Sequence, residues 1–161
     1  MQHIDLICIG KLNAPYFAQG VSEYAKRLSA YCDFRIVELP EETIREKNVS
    51  VASIEKALDK EADRILGNVR KGASIVALCI EGKQLSSEEL AEQLARTAGS
   101  GAGDMAFVIG SSHGLSPRIK QAAALRMSMS RMTFPHQLAR LMLAEQLYRA
   151  FSINAGAKYH K

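Results

Sequence analysis

Two short stretches hold the residues best suited to chemistry. The first is "IGSSHGLSP", residues 109–117, where Gly110 and Gly114 permit tight turns and a close approach of main chain to a ligand. Small side chains and free N–H groups in such a loop suit a nucleotide-like molecule, and they equally suit a plain strand-to-helix turn. His113 sits inside it. Its imidazole suits a general base, although a lone loop histidine also serves as a surface hydrogen-bonding group. The second stretch is the closing "KYHK". Tyr159 can stack, His160 can titrate and Lys161 is a fixed cation, the three ingredients for holding one RNA base beside its phosphate. A frayed end would use them for nothing.

The segment "MTFPHQLARLMLAEQLYRAF", residues 132–151, joins these two regions. Pro135 suits the first helical position, and no Gly or further Pro interrupts the helix it opens. At about 100° per residue, His136, Arg140 and Leu147 share one side, with Glu145 and Arg149 on another. Polar and apolar residues therefore alternate all the way round, which an ordinary surface helix does not do. Glu145 and Arg149 have the favourable acid-first spacing of an exposed i,i+4 pair. If the helix is covered on several sides, its polar groups need partners from a second subunit or an anionic substrate.

The elements that must position these residues follow from periodicity. Short apolar runs predict strands over His3–Gly10, Ala73–Lys83 and Met105–Gly110, alternation up to Pro40 predicts one over Asp33–Pro40, and "LRMSMSRM" alternates loosely after them. Helical spacing marks about Pro15–Tyr31 and Ser53–Val69. A further helix is capped by Ser86 or Ser87, and Ser116 caps a short one opened by Pro117. "EETIREKNVS" is charged and unpatterned, and "AGSGAGD" is a Gly-rich turn. Strands and helices take turns, so the class is α/β with a mostly parallel sheet and helices on both faces, read as one domain over 1–161. Ligands of such sheets bind beyond the carboxyl ends of the strands, here at "EGKQ", "GSSHGLSP" and "SRMTFP".

Several classes drop out. GxGxxG does not follow the first strand, the Lys-Ser/Thr of a phosphate-gripping loop is missing, and GxSxG is absent. Cys8, Cys32 and Cys79 are odd in number and widely spaced, with no CxxC and no Cys/His metal spacing, so a reducing cytoplasm and no metal are expected. No run approaches the roughly 18 apolar residues of a membrane span. The net charge of +4 suits an anionic partner such as RNA without requiring one.

The motifs "FVIGSSHGLSP", "SMSRMTFPHQLARLMLAEQLYRAFSI" and "YHK" closely resemble the RlmH (YbeA) family of bacteria, and the similarity extends to "ICIGKL" near the start. That resemblance implies a SPOUT-class methyltransferase. It would use S-adenosylmethionine to methylate N3 of a pseudouridine in 23S rRNA within the assembled ribosome. It also implies an α/β trefoil knot, a rare threaded connection, working as a homodimer. Leu78, Gly110 and the segment Met129, Ser130, Arg131, Met132, Thr133 and Phe134 fall on the family's cofactor-contact positions. The ending Tyr159-His160-Lys161 matches the family's tail, which lies beside its active site. His160 or His136 would assist with the N3 proton, Tyr159 would stack on or hydrogen-bond the base, and Arg140 and Lys161 would hold RNA phosphate. The family usually has two glycines where this chain has Gly110 and Ser111, and a positive φ there would strain the serine. Three other readings compete: the same architecture acting on a different RNA base, a non-catalytic ribosome-binding factor of the same fold, and a nucleotide-hydrolysing α/β protein.

Overall fold

The computed structural model describes residues 1–101 and 103–161; of the turn expected over 98–104, position 102 lies outside the described residues. Five parallel strands form one sheet: β1 (His3–Ile9), β2 (Asp33–Leu39), β3 (Ser74–Gln84), β4 (Met105–Ile109) and β5 (Leu125–Ser128). Their order is β2-β1-β4-β3-β5. The helices are α1 (Pro15–Leu28), α2 (Val51–Asn68), α3 (Ser87–Ala98), α4 (Pro117–Ala122) and α5 (His136–Asn154).

The pleat divides the core. Successive strand side chains point to opposite faces, so Ile4, Leu6 and Cys8 of β1 meet Leu28 of α1, Leu94 of α3 and Leu143 and Leu147 of α5. Ile7 and Ile9 face the other way, onto Ala62 and Ile65 of α2 and Ile119 of α4. Two covered faces explain why β1 and β4 read as near-continuous apolar runs, whereas the edge strand β2 alternates and has no buried residue. Asp5, the polar exception in β1, is buried and clamped by Arg35 (2.7 Å) and Arg70 (3.1 Å).

Helix starts follow local capping. Ser50 and Ser86 each accept from the backbone N–H three residues on, and each closes a capping box. Ser116 caps α4 with Pro117 behind it. Some details differ from those that periodicity predicts. α1 stops at Leu28 and not near Tyr31, α2 begins at Val51, and the unpatterned 41–50 segment holds a 3-10 turn at Glu46–Asn48. Pro135 is the N-cap of α5, one place before the first helical position.

β3 is not the uninterrupted strand its composition predicts. Leu78 and Lys83 both pair with Met127, so residues 79–82 bulge out of the ladder. Gly82 makes this possible: a Cβ there would meet the Met127 carbonyl carbon at 2.6 Å. Bulges of this kind re-aim side chains beside binding sites.

The mixed polarity of α5 has its cause in the packing. None of its residues from His136 to Ile153 is exposed. The sheet and α1 and α3 pack against it, and several of its polar groups find partners within the chain. Gln137 accepts from the Asn13 amide (2.8 Å), Gln146 accepts from the Ser87 hydroxyl (2.6 Å), and Asn154 donates to the Ala91 carbonyl (2.9 Å). No helix is long and apolar enough to cross a membrane among the described residues.

Candidate active site

A cavity of about 710 Å³ opens at the carboxyl end of the sheet, within the roughly 300–1,000 Å³ of small-molecule sites. Three segments build it. The β3 bulge contributes Leu78, Cys79, Ile80 and Glu81; the turn after β4 contributes Ile109 to Leu115; the β5–α5 connection contributes Ser128 to Ser130 and Met132 to His136. Ala139 closes the floor from α5. All three expected loops therefore meet at one place.

The turn after β4 is tight. The Gly114 amide donates to the Ser111 carbonyl (2.9 Å), and a Cβ on Gly110 would collide with the Gly114 carbonyl oxygen. Gly114 has φ +86°, a conformation that favours glycine. Ser111 does not: no non-glycine among the described residues has positive φ. The strain conceivable at that departure from the family pattern is absent. Its hydroxyl instead donates to Glu61 Oε1 at 3.0 Å.

Of the residues singled out from sequence, Leu78, Gly110, Met129, Ser130, Met132, Thr133, Phe134 and His136 line the cavity, and His113 joins them. Arg131 does not line it and is exposed on the turn between Ser130 and Met132. Ile80 and Met132 stand at the mouth, 69% and 73% exposed, two large apolar side chains in water beside an apolar-walled site. Lys120 also reaches the wall and pairs with Glu81 at 2.6 Å; this contact holds the Glu81 carboxyl below its ordinary range. Glu81 opens the "EGKQ" loop expected at the site, whereas Cys79 is hidden because the bulge is invisible in the apolar run, and Lys120 on α4 carries no sequence signal of a site.

Arg140 requires a correction. The expected phosphate contact is not available, because its side chain is 1% exposed. The guanidinium donates to Glu38 at 2.5 Å and to the Gly10 carbonyl at 3.1 Å, bolting α5 to the ends of β1 and β2. Nε has no hydrogen-bond partner among the described residues.

The tail lies elsewhere, so a second expectation is not met within one chain. Tyr159 packs edge-on against Tyr148 and bonds Glu145, while His160 bonds Glu88 on α3 at 2.7 Å and Arg149 at 3.1 Å. Arginine has only donors, so His160 Nδ1 accepts there and Nε2 carries the proton given to Glu88. Burial raises the Tyr159 phenol, with Tyr24 and Glu145 adding to the effect. Lys161 is exposed. Ala139 is the last α5 residue on the cavity wall, and the tail is anchored at Glu145 and Arg149, six and ten residues further on, so about 9–15 Å of helix axis separates anchor from cavity.

Comparison with known proteins agrees with this architecture. A family model described as a predicted SPOUT methyltransferase matches residues 2–160. Proteins named ribosomal RNA large subunit methyltransferase H are similar from end to end. Those of Ligilactobacillus salivarius and Pelotomaculum thermopropionicum are each 48% identical, and that of Clostridioides difficile is 46% identical, each over 99% of both chains. The solved SpoU methyltransferase AviRb from Streptomyces viridochromogenes, in complex with AdoMet, aligns with 96% of this chain and 58% of its own. The TM-score is 0.45 and the identity 12%, too distant to bear on the chemistry here. On the full-length matches, the chain belongs to the SPOUT methyltransferase family and, within it, to the ribosomal RNA large subunit methyltransferase H proteins.

Proposed function

We propose that this chain transfers a methyl group from S-adenosylmethionine to N3 of a pseudouridine in 23S rRNA, within the assembled ribosome, as a cytoplasmic homodimer of single-domain subunits. One observation carries the reading: the cavity where the β3 bulge, the β4 turn and the β5–α5 connection converge. Its walls fit the cofactor. Leu78, Ile109, Leu115 and Phe134 offer apolar surface to a purine, and the close-packed turn at Gly110 brings main chain to the cavity edge. Backbone and side chains of Met129, Ser130 and Met132 to Phe134 would hold the polar ends, with Arg131 at the rim.

When bound, S-adenosylmethionine supplies an electrophilic methyl group on a sulfonium, a good leaving group. The protein's task is to hold N3 in line with that methyl carbon and to take up the N3 proton, since a neutral N3–H is a poor nucleophile. His136 lines the cavity and is the proton acceptor we assign within the protomer. The distance between cavity and tail supports the dimer. A two-fold arrangement that sets α5 against its twin would bring one subunit's Tyr159, His160 and Lys161 to the other's cavity, to stack on the base and hold its phosphate. The position of β5 outside β3, with α5 returning onto α1 and α3, supports the trefoil knot.

Incubation with labelled S-adenosylmethionine and either unmodified ribosomes or naked 23S rRNA tests the proposal. Label on pseudouridine N3 in ribosomes, with far less on naked RNA, is the expected result. Label on another base, or on neither substrate, overturns it.

A further inference from the structure

Glu61 is a buried carboxyl beside the cavity wall. It sits on α2, 3% exposed, on the face of the sheet that packs Ala62 and Ile65 into the core. Its hydrogen-bond partners among the described residues are neutral. The two oxygens are used separately: Oε1 accepts from the Ser111 hydroxyl (3.0 Å) and Oε2 from the Glu42 backbone amide (2.9 Å). Glu42 is itself fixed by Arg64 and Lys60 of α2. Desolvating a carboxylate is costly unless hydrogen bonds offset the loss. Here both bonds go to loops at the carboxyl end of the sheet, and one of those loops is the cavity wall.

We propose that Glu61 is a positioning residue that sets the depth of the Ser111–Gly114 turn and so shapes the cofactor cavity. The turn has its own internal bond from the Gly114 amide to the Ser111 carbonyl, which fixes its shape. The Ser111–Glu61 bond ties that shape to α2. Serine at this position, where the family usually has glycine, supplies a hydroxyl tether that glycine lacks. The inference rests on the proposed use of S-adenosylmethionine.

Three variants test it by calorimetry with S-adenosylmethionine and by amide hydrogen exchange of the unliganded protein. Ser111→Ala and Glu61→Ala should weaken cofactor binding about tenfold, the scale expected for losing a hydrogen bond to a buried charged group. Both should speed exchange over 110–115 and leave α3 unchanged. Glu61→Gln should restore slow exchange and near-native affinity, because its amide can donate to the Ser111 oxygen while its carbonyl accepts from Glu42. At saturating cofactor, KM for ribosomes should not move. Wild-type-like exchange and affinity in Ser111→Ala overturn the inference, as does uniform loosening of the whole chain in Glu61→Gln. Wild-type protein that fails to bind S-adenosylmethionine overturns the cofactor reading instead, and the positioning role with it.

Discussion

The Tyr159 hydroxyl reaches back fourteen residues to donate to Glu145 Oε1 at 3.2 Å, while the Arg149 guanidinium lies 4.7 Å from the Tyr159 ring centroid. Arg149 also donates to that same Glu145 oxygen (2.6 Å). One carboxylate, one cation and one ring therefore hold the last residues on the far half of α5. Because this anchor stands about two to three turns along α5 from the cavity-lining Ala139, the tail and the cavity should be separable between subunits. A variant lacking residues 158–161 and a Gly110→Val variant should each be inactive as homodimers. Co-refolded, they should recover about a quarter of wild-type methylation on ribosomes, since half of random pairings hold one complete site. No recovery would show that each tail serves its own cavity.

Arg140 should behave as a core residue. Truncating the buried Arg140 leaves a cavity and an unpaired Gly10 carbonyl, while the Glu38 carboxylate, 40% exposed, stays hydrated; at about 2 kcal/mol for the cavity, Arg140→Ala should lower the urea midpoint by a corresponding amount. The salt dependence of ribosome binding should be unchanged. A slope reduced by about one phosphate contact, with stability intact, would restore the phosphate role.

The tail and Arg140 mark the limit of what periodicity reveals. Strand and helix identity follow from it because both sheet faces are covered, and the three cavity loops follow because ligands of parallel sheets bind at the strand carboxyl ends. Arg140 is expected on phosphate because a covered helix leaves its guanidinium in need of a partner, and Glu38, 102 residues away in sequence, becomes that partner only once the chain is folded. Glu61 and Ser111 are fifty residues apart, and only the packing of α2 under the β4 turn brings them together. The bulge at 79–82 is hidden because its apolar residues and single glycine match a buried strand ending in a loop.

Gly82 tests that bulge. A methyl group there meets main-chain atoms of Arg126 and Met127 between 2.6 and 2.8 Å away, and backbone cannot step aside as a side chain can. Gly82→Ala should cost about 1–3 kcal/mol, the range for overpacking, and should weaken S-adenosylmethionine binding because Cys79 to Glu81 move with it. Unchanged stability and affinity would mean that β3 and β5 part easily at this point.

Acid should destabilise the protein through Asp104. His3 Nδ1 lies 2.9 Å from its carboxylate and holds the folded pKa below the ordinary value of 3.8, helped by the His3 backbone amide. A depressed carboxyl pKa contributes stability that is fully present above the unfolded value and disappears as pH falls through the folded one. Thermal midpoints should therefore be insensitive to this carboxyl above about pH 5 and decline below about pH 4. Asp104→Asn should melt lower at neutral pH, with the gap to wild type closing in strong acid. A gap that stays constant across the range would remove the pair from the acid limb.

Cysteine reactivity reads the cavity directly. Burial pushes the Cys8 and Cys32 thiols up to about 12, so almost no thiolate exists at pH 8 and neither should alkylate until the protein unfolds. Cys79 is raised by the same cause but is only half-buried, and it lines the cavity. Iodoacetamide at pH 8 should therefore modify the native protein slowly and at Cys79 alone, as peptide mapping would show. Saturating S-adenosylmethionine should slow that reaction further, because the donor and the alkylating agent compete for the same wall. An equal rate with and without the donor would place its binding away from the β3 bulge, whatever the activity measured on ribosomes.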